Sequence, residues 1–234
     1  MHRLKITLKK SEGRAANFPY SYGDMLAAAV FARLKGIDYN GTFAVSQIDF
    51  DEMQTVGGIQ HTGTFAKFEI SFLCHEPLIE VMSMFSGYFS IGDGQRKAVY
   101  EIIDVKSLPE PIWREEMEYK CLSPIVIPHP NDRGNHDYLK PGDHLFEDIF
   151  FDKVLSTYLH FSGKRIDPHD ILRYVPQGQL RTKLQDVMMN NSIIKVRGII
   201  QFFKLIAPID IQKMMYYGGA GAFQSKGFGC VGLK

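Results

Sequence analysis

The order of strand-like and helix-like segments in the first half constrains this chain more than any other feature. Residues 2–9 alternate between apolar and polar side chains, which predicts an opening β-strand. Residues 21–34 carry apolar side chains at helical spacing, which predicts a helix. Two further strands, a short helix and a closing strand are predicted at residues 43–50, 64–73, 76–87 and 97–105. The predicted order is therefore β-α-β-β-α-β.

The second half repeats this order less cleanly. A linker is predicted at residues 109–111, an interrupted strand at 116–127 and a long polar loop at 129–144. The later elements are a helix at 145–159, a strand at 193–206, a helix at 208–217 and a strand at 229–233. The order is that of ferredoxin-like domains and RNA-recognition folds. We therefore predict an α+β protein of two tandem ferredoxin-like (RNA-recognition-like) domains, at residues 1–108 and 112–234.

Composition limits the class of function without deciding it. The 234 residues carry a net charge of +1, and no apolar run approaches the roughly 18 residues that a membrane span needs. The three cysteines are isolated, which indicates neither a disulfide framework nor a CxxC metal site. We expect a cytoplasmic protein without metal, cofactor or membrane association. Both a monomer and a homodimer fit a chain of this size.

Basic residues are concentrated towards the two ends of the chain. Residues 1–46 hold seven Lys or Arg against three Asp or Glu, and residues 178–234 hold eight against two. Residues 47–118 hold five against thirteen. If the ends meet in space, they form one positive face of the kind that a phosphate backbone requires. Cations that only solvate exposed faces would give the same counts.

The most specific segment is the glycine-rich sequence at residues 218–229. Its glycines allow positive φ and leave N–H groups uncovered, so that a phosphate can approach closely. A tight turn in which glycine only permits packing is the alternative. The segment follows a predicted helix and precedes a strand, which does not fit a dinucleotide or P-loop motif. The candidate phosphate contacts are Gly219, Gly221, Ser225, Lys226, Gly227 and Gly229.

The pattern Gly219-x-Gly221-x5-Gly227-Phe228-Gly229 resembles the signature loop of the CRISPR repeat-processing endoribonucleases, a family of the repeat-associated RNA-binding (RAMP) superfamily. Three shorter matches follow in the order that this family shows. They are Phe18-Pro19-Tyr20 before the first helix, Leu122-Ser123-Pro124-Ile125 in the second half, and Tyr138-Leu139-Lys140-Pro141-Gly142-Asp143 before its helix. The resemblance covers essentially the whole chain and includes the duplicated fold.

The resemblance implies RNA lying along the cleft between two ferredoxin-like domains and over the glycine-rich loop. Members of the family cut repeat RNA without metal, since the ribose 2′-hydroxyl attacks the adjacent phosphate and leaves a cyclic phosphate and a free 5′-hydroxyl. Such a reaction needs a base, an acid and a cation near the phosphorane. The expected partner is the precursor transcript of CRISPR repeat RNA, and other Cas proteins are further candidates.

The acid–base residues usual in this family are not found at the expected positions. Phe31 stands where the family often has a Tyr, and no His lies between His2 and His61. Histidines of the polar loop are candidate substitutes, and so is His61 near Gly57-Gly58. For the loop histidines, the alternative is a solvated loop with no role. For His61, the alternative is a surface position. The candidate catalytic residues are His61, His129, His136 and His144.

Four cations near the last long strand are further candidate phosphate contacts: Arg181, Lys183, Lys195 and Arg197. Lys195 and Arg197 are two residues apart, so on one strand they point to the same face. This spacing predicts an RNA-facing stripe, and exposed charges on a sheet edge are the alternative.

Three functions remain open from the sequence. The favoured one is a metal-independent endoribonuclease that matures CRISPR transcripts, because catalytic residues can migrate when the substrate supplies the nucleophile. The second is a repeat-RNA-binding subunit of a CRISPR complex that cleaves weakly or not at all. The third is a ferredoxin-like domain that binds a small anionic ligand at its glycine loop.

Overall fold

The computed structural model describes residues 1–12, 16–34, 43–92, 97–132, 136–167, 169–189 and 192–234. None of the helices in these ranges is long and apolar enough to cross a membrane. The elements of the first half are β1 (His2–Lys10), β2 (Asn17–Phe18), α1 (Gly23–Arg33), β3 (Phe43–Val45), β4 (Asp49–Phe50), β5 (Met53–Gln54), β6 (Ile59–His61), β7 (Phe65–Phe72), α2 (Leu78–Ser83), β8 (Tyr88–Ile91) and β9 (Ala98–Ser107).

The first half folds around an antiparallel sheet in the order β3-β7-β1-β9-β8. The strand β1 is central because it pairs with both β7 and β9. Its alternate residues Leu4, Ile6 and Leu8 are fully buried, and they share one hydrophobic core with Leu26 of α1 and Val81 of α2. The predicted alternation of residues 2–9 thus sets which face of the sheet is covered by helices. The arrangement confirms the predicted ferredoxin-like topology of this half.

The second half repeats that topology around its own core. Its sheet has the order β13-β14-β10-β15, which again places the first strand between the third and the fourth. A second hydrophobic cluster lies between this sheet and the two helices of this half. Its elements are β10 (Glu116–Cys121), β11 (Pro128–Pro130), β12 (His136–Tyr138), α3 (Phe146–Ser162), β13 (Arg173–Met189), β14 (Ser192–Ile206), α4 (Ile209–Gly218) and β15 (Val231–Leu233).

Several predicted elements differ from the structure. The predicted strand at 116–127 ends at Cys121, and the predicted polar loop contains the hairpin of β11 and β12. The long strand β13 was not predicted, because most of its side chains are exposed and it lacks a continuous apolar face. The short strands β2, β6 and β5 form a separate three-stranded sheet, and strands of two or three residues are too short to show a period. The domain boundary between residues 108 and 112 stays a prediction.

The two halves are joined through a buried arginine. Arg3 of β1 is 2% exposed, and its Nε donates to Oε2 of Glu69 at 3.0 Å. Its guanidinium lies 4.2 Å from the centre of the Tyr216 ring in α4, and its Nη1 donates to the Tyr216 carbonyl at 3.3 Å. The beginning and the end of the chain therefore meet in space.

Candidate nucleic-acid interface

The glycines of the segment 218–229 are buried and serve close packing. A Cβ on Gly227 would lie 2.3 Å from the carbonyl oxygen of Gly23, at the start of α1. A Cβ on Gly229 would lie 2.3 Å from the carbonyl oxygen of Ala220. All four motif glycines have φ between 76° and 87°, a region that residues with a Cβ rarely adopt. Backbone shape and close approach therefore both require glycine at these positions.

Three of these glycines also use their N–H groups inside the protein. The amides of Gly219, Gly227 and Gly229 donate to carbonyl oxygens at 2.9, 3.0 and 2.8 Å respectively. The expectation that these amides are uncovered is therefore wrong, because their acceptors lie at the end of α4, within the loop itself and in the chain after β10. Gly221 is also tightly enclosed, since its Cβ would lie 2.5 Å from the Val126 carbonyl oxygen. The glycines fix the shape of the loop, and an RNA contact by any of them stays a prediction.

The exposed tip of the loop is a 3₁₀ turn at Gln224–Lys226. Phe223 enters this turn with φ of 64°, a left-handed conformation that costs roughly 1–2 kcal/mol for a residue with a Cβ. The first amides of a helical turn have no partner within the turn. Within this turn the Lys226 amide donates to the Phe223 carbonyl oxygen at 2.9 Å, and the side chain of Ser225 is exposed.

Lys226 is held by a carboxylate of the first helix. Its Nζ lies 3.2 Å from Oδ1 of Asp24, while Oδ2 of Asp24 accepts a hydrogen bond from the backbone N–H of Met188 at 3.2 Å. Asp24 stands in the first turn of α1, where the helix dipole favours a negative charge. Asp24 thus ties the glycine loop and β13 to α1, and Lys226 carries its own counterion.

Lys183 of β13 is a half-buried cation without such a counterion. Its Nζ lies 5.8 Å from the centre of the Tyr22 ring, and burial lowers the pKa of Lys183 without a compensating carboxylate among the described residues. Tyr22 directly precedes α1, and its buried hydroxyl accepts a hydrogen bond from the Ile48 N–H. Burial raises the pKa of Tyr22, so this phenol stays neutral at physiological pH.

The start of α1 brings these side chains together. A Cβ on Gly23 would lie 3.5 Å from both the Gln185 side chain of β13 and the Gly227 carbonyl oxygen of the loop. Three elements that are far apart in sequence therefore converge at one place. We call this group the junction site; it consists of Tyr22, Asp24, Lys183, Ser225 and Lys226.

The paired strands β13 and β14 form a ribbon, and the four predicted cations on it lie on its two opposite faces. Arg181 and Lys183 lie opposite Ile200 and Gly198, whereas Arg197 and Lys195 lie opposite Leu184 and Asp186. Directly paired residues share a face, and successive residues alternate between faces. Lys195 and Arg197 do share one face of β14, as predicted, but it is the face opposite to Arg181 and the junction site.

His61 is enclosed in the first half. It lies on β6 and is 2% exposed, so the interpretation as a surface residue is wrong. Its Nε2 lies 2.8 Å from Oδ1 of Asp51 and its Nδ1 lies 3.1 Å from the Tyr100 hydroxyl. Burial opposes ionisation of Asp51, but the bonds from His61 and three backbone N–H groups outweigh it and lower the pKa of Asp51. With both ring nitrogens engaged, this geometry favours a structural role for His61.

The other three candidate histidines lie around the hairpin of β11 and β12. His129 pairs with Asp137 across the hairpin and is half-buried, while His136 and His144 are exposed. Tyr138 of β12 packs against the cluster that contains Phe228, so the hairpin lies beside the base of the glycine loop. A catalytic role for these three histidines stays a prediction. The described ranges contain no group of three His, Cys, Asp or Glu side chains that could hold a metal ion.

Two residues of the junction site were missed in the sequence. In the sequence, Tyr22 and Asp24 indicate only the start of a helix. Nothing in the sequence links them to Lys226, near the other end of the chain. Phe31, at the position where a Tyr was expected, is 50% exposed on α1.

The comparisons with known proteins concern both sequence and fold. The family model of the CRISPR-associated protein Cas6, C-terminal, matches residues 108–233. A structure of a Cas6-related gene product from Pyrococcus furiosus has a TM-score of 0.83 and 22% identity, with 100% of this chain and 98% of that chain covered. No curated protein matches the chain.

Two further structures are similar over the same length. One is a RAMP protein described as binding different RNA substrates, with a TM-score of 0.82, 21% identity and 100% coverage of both chains. The other is a CRISPR-associated protein Cas6, with a TM-score of 0.81, 19% identity and coverage of 100% and 99%. These structures confirm the tandem ferredoxin-like fold, and the family model spans more than half of the sequence. The chain therefore belongs to the Cas6 family of CRISPR-associated proteins.

Proposed function

We propose that this protein binds CRISPR repeat RNA, with the RNA phosphates at the junction site. The observation that carries the proposal is Lys183. A half-buried ammonium that lacks a carboxylate partner is costly to keep charged, and its lowered pKa reflects that cost. An anionic ligand would remove the cost, and a phosphate is the anion that a nucleic-acid-binding fold offers.

The surroundings of Lys183 support a phosphodiester strand over a small anion. Arg181 extends the positive charge along the same face of β13, and the exposed hydroxyl of Ser225 adds a neutral donor. Donors of these types are the usual phosphate contacts in nucleic-acid complexes. A RAMP protein of the same fold is described as binding RNA.

The test is the affinity of the protein for repeat RNA from the host's own CRISPR array, measured by fluorescence anisotropy at several salt concentrations. We expect Lys183→Ala to weaken binding about tenfold and to reduce the salt slope by about one phosphate contact. The control Lys106→Ala removes an exposed cation that pairs with Asp104 and should leave both quantities unchanged. Equal affinities of wild type and Lys183→Ala would contradict the proposed site.

The pH dependence of binding gives a second measurement at Lys183. Because burial lowers its pKa, the ammonium loses its proton at a lower pH than an exposed lysine. Wild-type affinity should therefore fall as the pH rises through this lowered pKa. Lys183→Arg should keep its affinity at high pH, because arginine stays protonated.

Cleavage is a second candidate function, and the same lysine favours it. A lysine of lowered pKa has a fraction of neutral amine that can accept the proton of a ribose 2′-hydroxyl. The experiment is incubation of the repeat RNA in EDTA, beside RNAs that carry a single 2′-deoxy substitution at each candidate cut site. Site-specific cleavage that one substitution abolishes would establish a metal-independent endoribonuclease, and Ala variants of Lys183, His129, His136 and His144 would then locate its base. Binding without cleavage would leave a repeat-RNA-binding subunit.

A further inference from the structure

The small sheet in the order β2-β6-β5 has two unlike faces. On its inner face, Phe18 and His61 are buried, and Ile59 packs against the hydrophobic core of the first half. On its outer face, Asn17 lies opposite Gln60, and Gln60 lies opposite Gln54. The sheet is thus anchored by its apolar side and presents a row of three amide side chains outward.

This amide row is available to a ligand. All three side chains are exposed, and none of them has a hydrogen-bond partner among the described residues. Directly opposed side chains have Cβ atoms about 4.5–5.5 Å apart, so neighbouring amides can contact the same small group. Each amide offers both a donor and an acceptor, which is the pattern along the edge of a nucleobase.

A groove adjoins the amide row. It has a volume of 370 Å³ and is lined by Asn17 and Gln60 together with Pro19, Val56 and Gly58. Val56 is 87% exposed, so one apolar side chain stands beside the polar row. Gly58 packs closely against the Phe18 backbone, because a Cβ there would lie 2.5 Å from the Phe18 carbonyl oxygen. A groove that combines polar side chains with an adjacent apolar one suits a flat, hydrogen-bonding ligand.

An aromatic ring stands next to this groove. Tyr20 is 51% exposed, and its hydroxyl donates to the carbonyl oxygen of Thr55 at 3.3 Å, beside Val56. Exposed aromatic rings of this kind stack on splayed bases in single-stranded RNA complexes. The inner face of the sheet packs towards the junction site, because the buried Phe18 ring lies 5.6 Å from the Tyr22 ring.

We propose that the outer face of this sheet binds an unpaired nucleobase, adenine in preference to uracil or cytosine, from the strand whose phosphates lie at the junction site. The inference rests on the proposed RNA binding and adds a base-reading subsite to it. Asn and Gln side chains form paired hydrogen bonds with adenine, and proteins read single-stranded RNA through such exposed base edges. Asn17 and Gln60 supply the hydrogen bonds, and Tyr20 and Val56 supply apolar contact.

The experiment compares short unstructured RNAs by fluorescence anisotropy: oligouridine alone, and oligouridine with interspersed adenines or cytosines. We expect wild type to bind the adenine-containing strand about tenfold more tightly. The double variant Asn17→Ala/Gln60→Ala should lose this preference and keep the wild-type affinity for oligouridine. The control Gln177→Ala removes an amide whose Nε2 donates to Glu118 and should keep the preference.

The outcomes separate the subsite from the function on which it rests. Loss of the adenine preference only in the double variant, with an unchanged circular dichroism spectrum and melting temperature, supports the subsite. Equal wild-type affinities for all strands, or a preference that survives in the double variant, overturns the subsite and leaves RNA binding intact. Failure of wild type to bind any of the strands, or the repeat RNA, overturns the proposed function as well.

Discussion

At the residue scale, the pairing of Asp24 with Lys226 sets how strongly the loop can attract RNA. The carboxylate neutralises the lysine that stands at the exposed tip and places a negative charge where a phosphate would lie. Asp24→Asn keeps the size of the side chain and an oxygen that can accept the Met188 N–H. We therefore expect this variant to bind repeat RNA more tightly, with a salt slope steeper by about one phosphate contact.

The measurement is again the salt dependence of RNA binding, with Asp210→Asn as its control. Asp210 also stands in the first turn of a helix, α4, where it accepts a hydrogen bond from the Tyr158 hydroxyl at 3.4 Å. Both variants change the net charge by one unit, but only Asp24→Asn releases Lys226. The control therefore separates the effect of net charge on RNA binding from the effect of releasing Lys226. Weaker binding by Asp24→Asn would show instead that Asp24 positions Lys226 for the phosphate. The pair is partly exposed, so its loss should lower the free energy of unfolding by no more than about 1 kcal/mol.

At the scale of elements, the glycine loop packs between α1 and the rest of the second half. Gly227→Ala would place a methyl group 2.3 Å from the Gly23 carbonyl oxygen, at φ of 84°. Backbone strain and overpacking each cost about 1–3 kcal/mol. We expect the free energy of unfolding to fall by about 3 kcal/mol, measured by urea denaturation.

Gly163→Ala is the matched control for the loop. Gly163 ends α3 at φ of 69°, and a Cβ there meets nothing within 4 Å, so only the backbone cost of about 1–2 kcal/mol applies. The difference between the two variants isolates the contact with α1. Equal losses of stability would show that the close approach at Gly23 relaxes without cost.

Elements with a regular apolar period could be predicted from the sequence, and the others could not. The core strand β1 and the helices α1 and α3 were placed to within a few residues, because burial on one face imposes alternation or helical spacing. The ribbon strand β13 was missed because pairing with β14 holds it while most of its side chains stay exposed. Short strands such as β2 and β5 depend on partners distant in sequence.

The candidate site, too, could be predicted only where its signals are local in sequence. Its loop was found through the glycine motif and its lysines through residue type, which are local signals. The pairing of Lys226 with Asp24 joins the first helix to the last loop, and only the duplicated fold brings them together. The expectation of uncovered glycine amides failed partly for this reason, since Gly229 donates to Pro124, far away in sequence. Gly219 and Gly227 instead donate to Met215 and Gln224, within the turns that precede them.

At the scale of the whole molecule, we expect Arg3 to couple the unfolding of the two halves. Its guanidinium pairs with Glu69 in the first sheet and covers the Tyr216 ring in the second half. The ring centre of Tyr216 lies 5.4 Å from that of Trp113, the one tryptophan of the chain. Tryptophan fluorescence therefore reports on the second half beside the interface, whereas circular dichroism reports on both halves.

Arg3→Met keeps most of the apolar stem but removes the ion pair and the contact of the charge with the ring. Removing one partner of a buried pair leaves the other uncompensated, which costs about 3 kcal/mol. We expect the urea transitions by fluorescence and by circular dichroism to coincide in wild type and to separate in Arg3→Met. The control Lys106→Met breaks an exposed pair with Asp104 and should keep coincident transitions near the wild-type midpoint. If Arg3→Met lowers the midpoint while both probes still coincide, the remaining interface, including Asp24 and Lys226, suffices to couple the two halves.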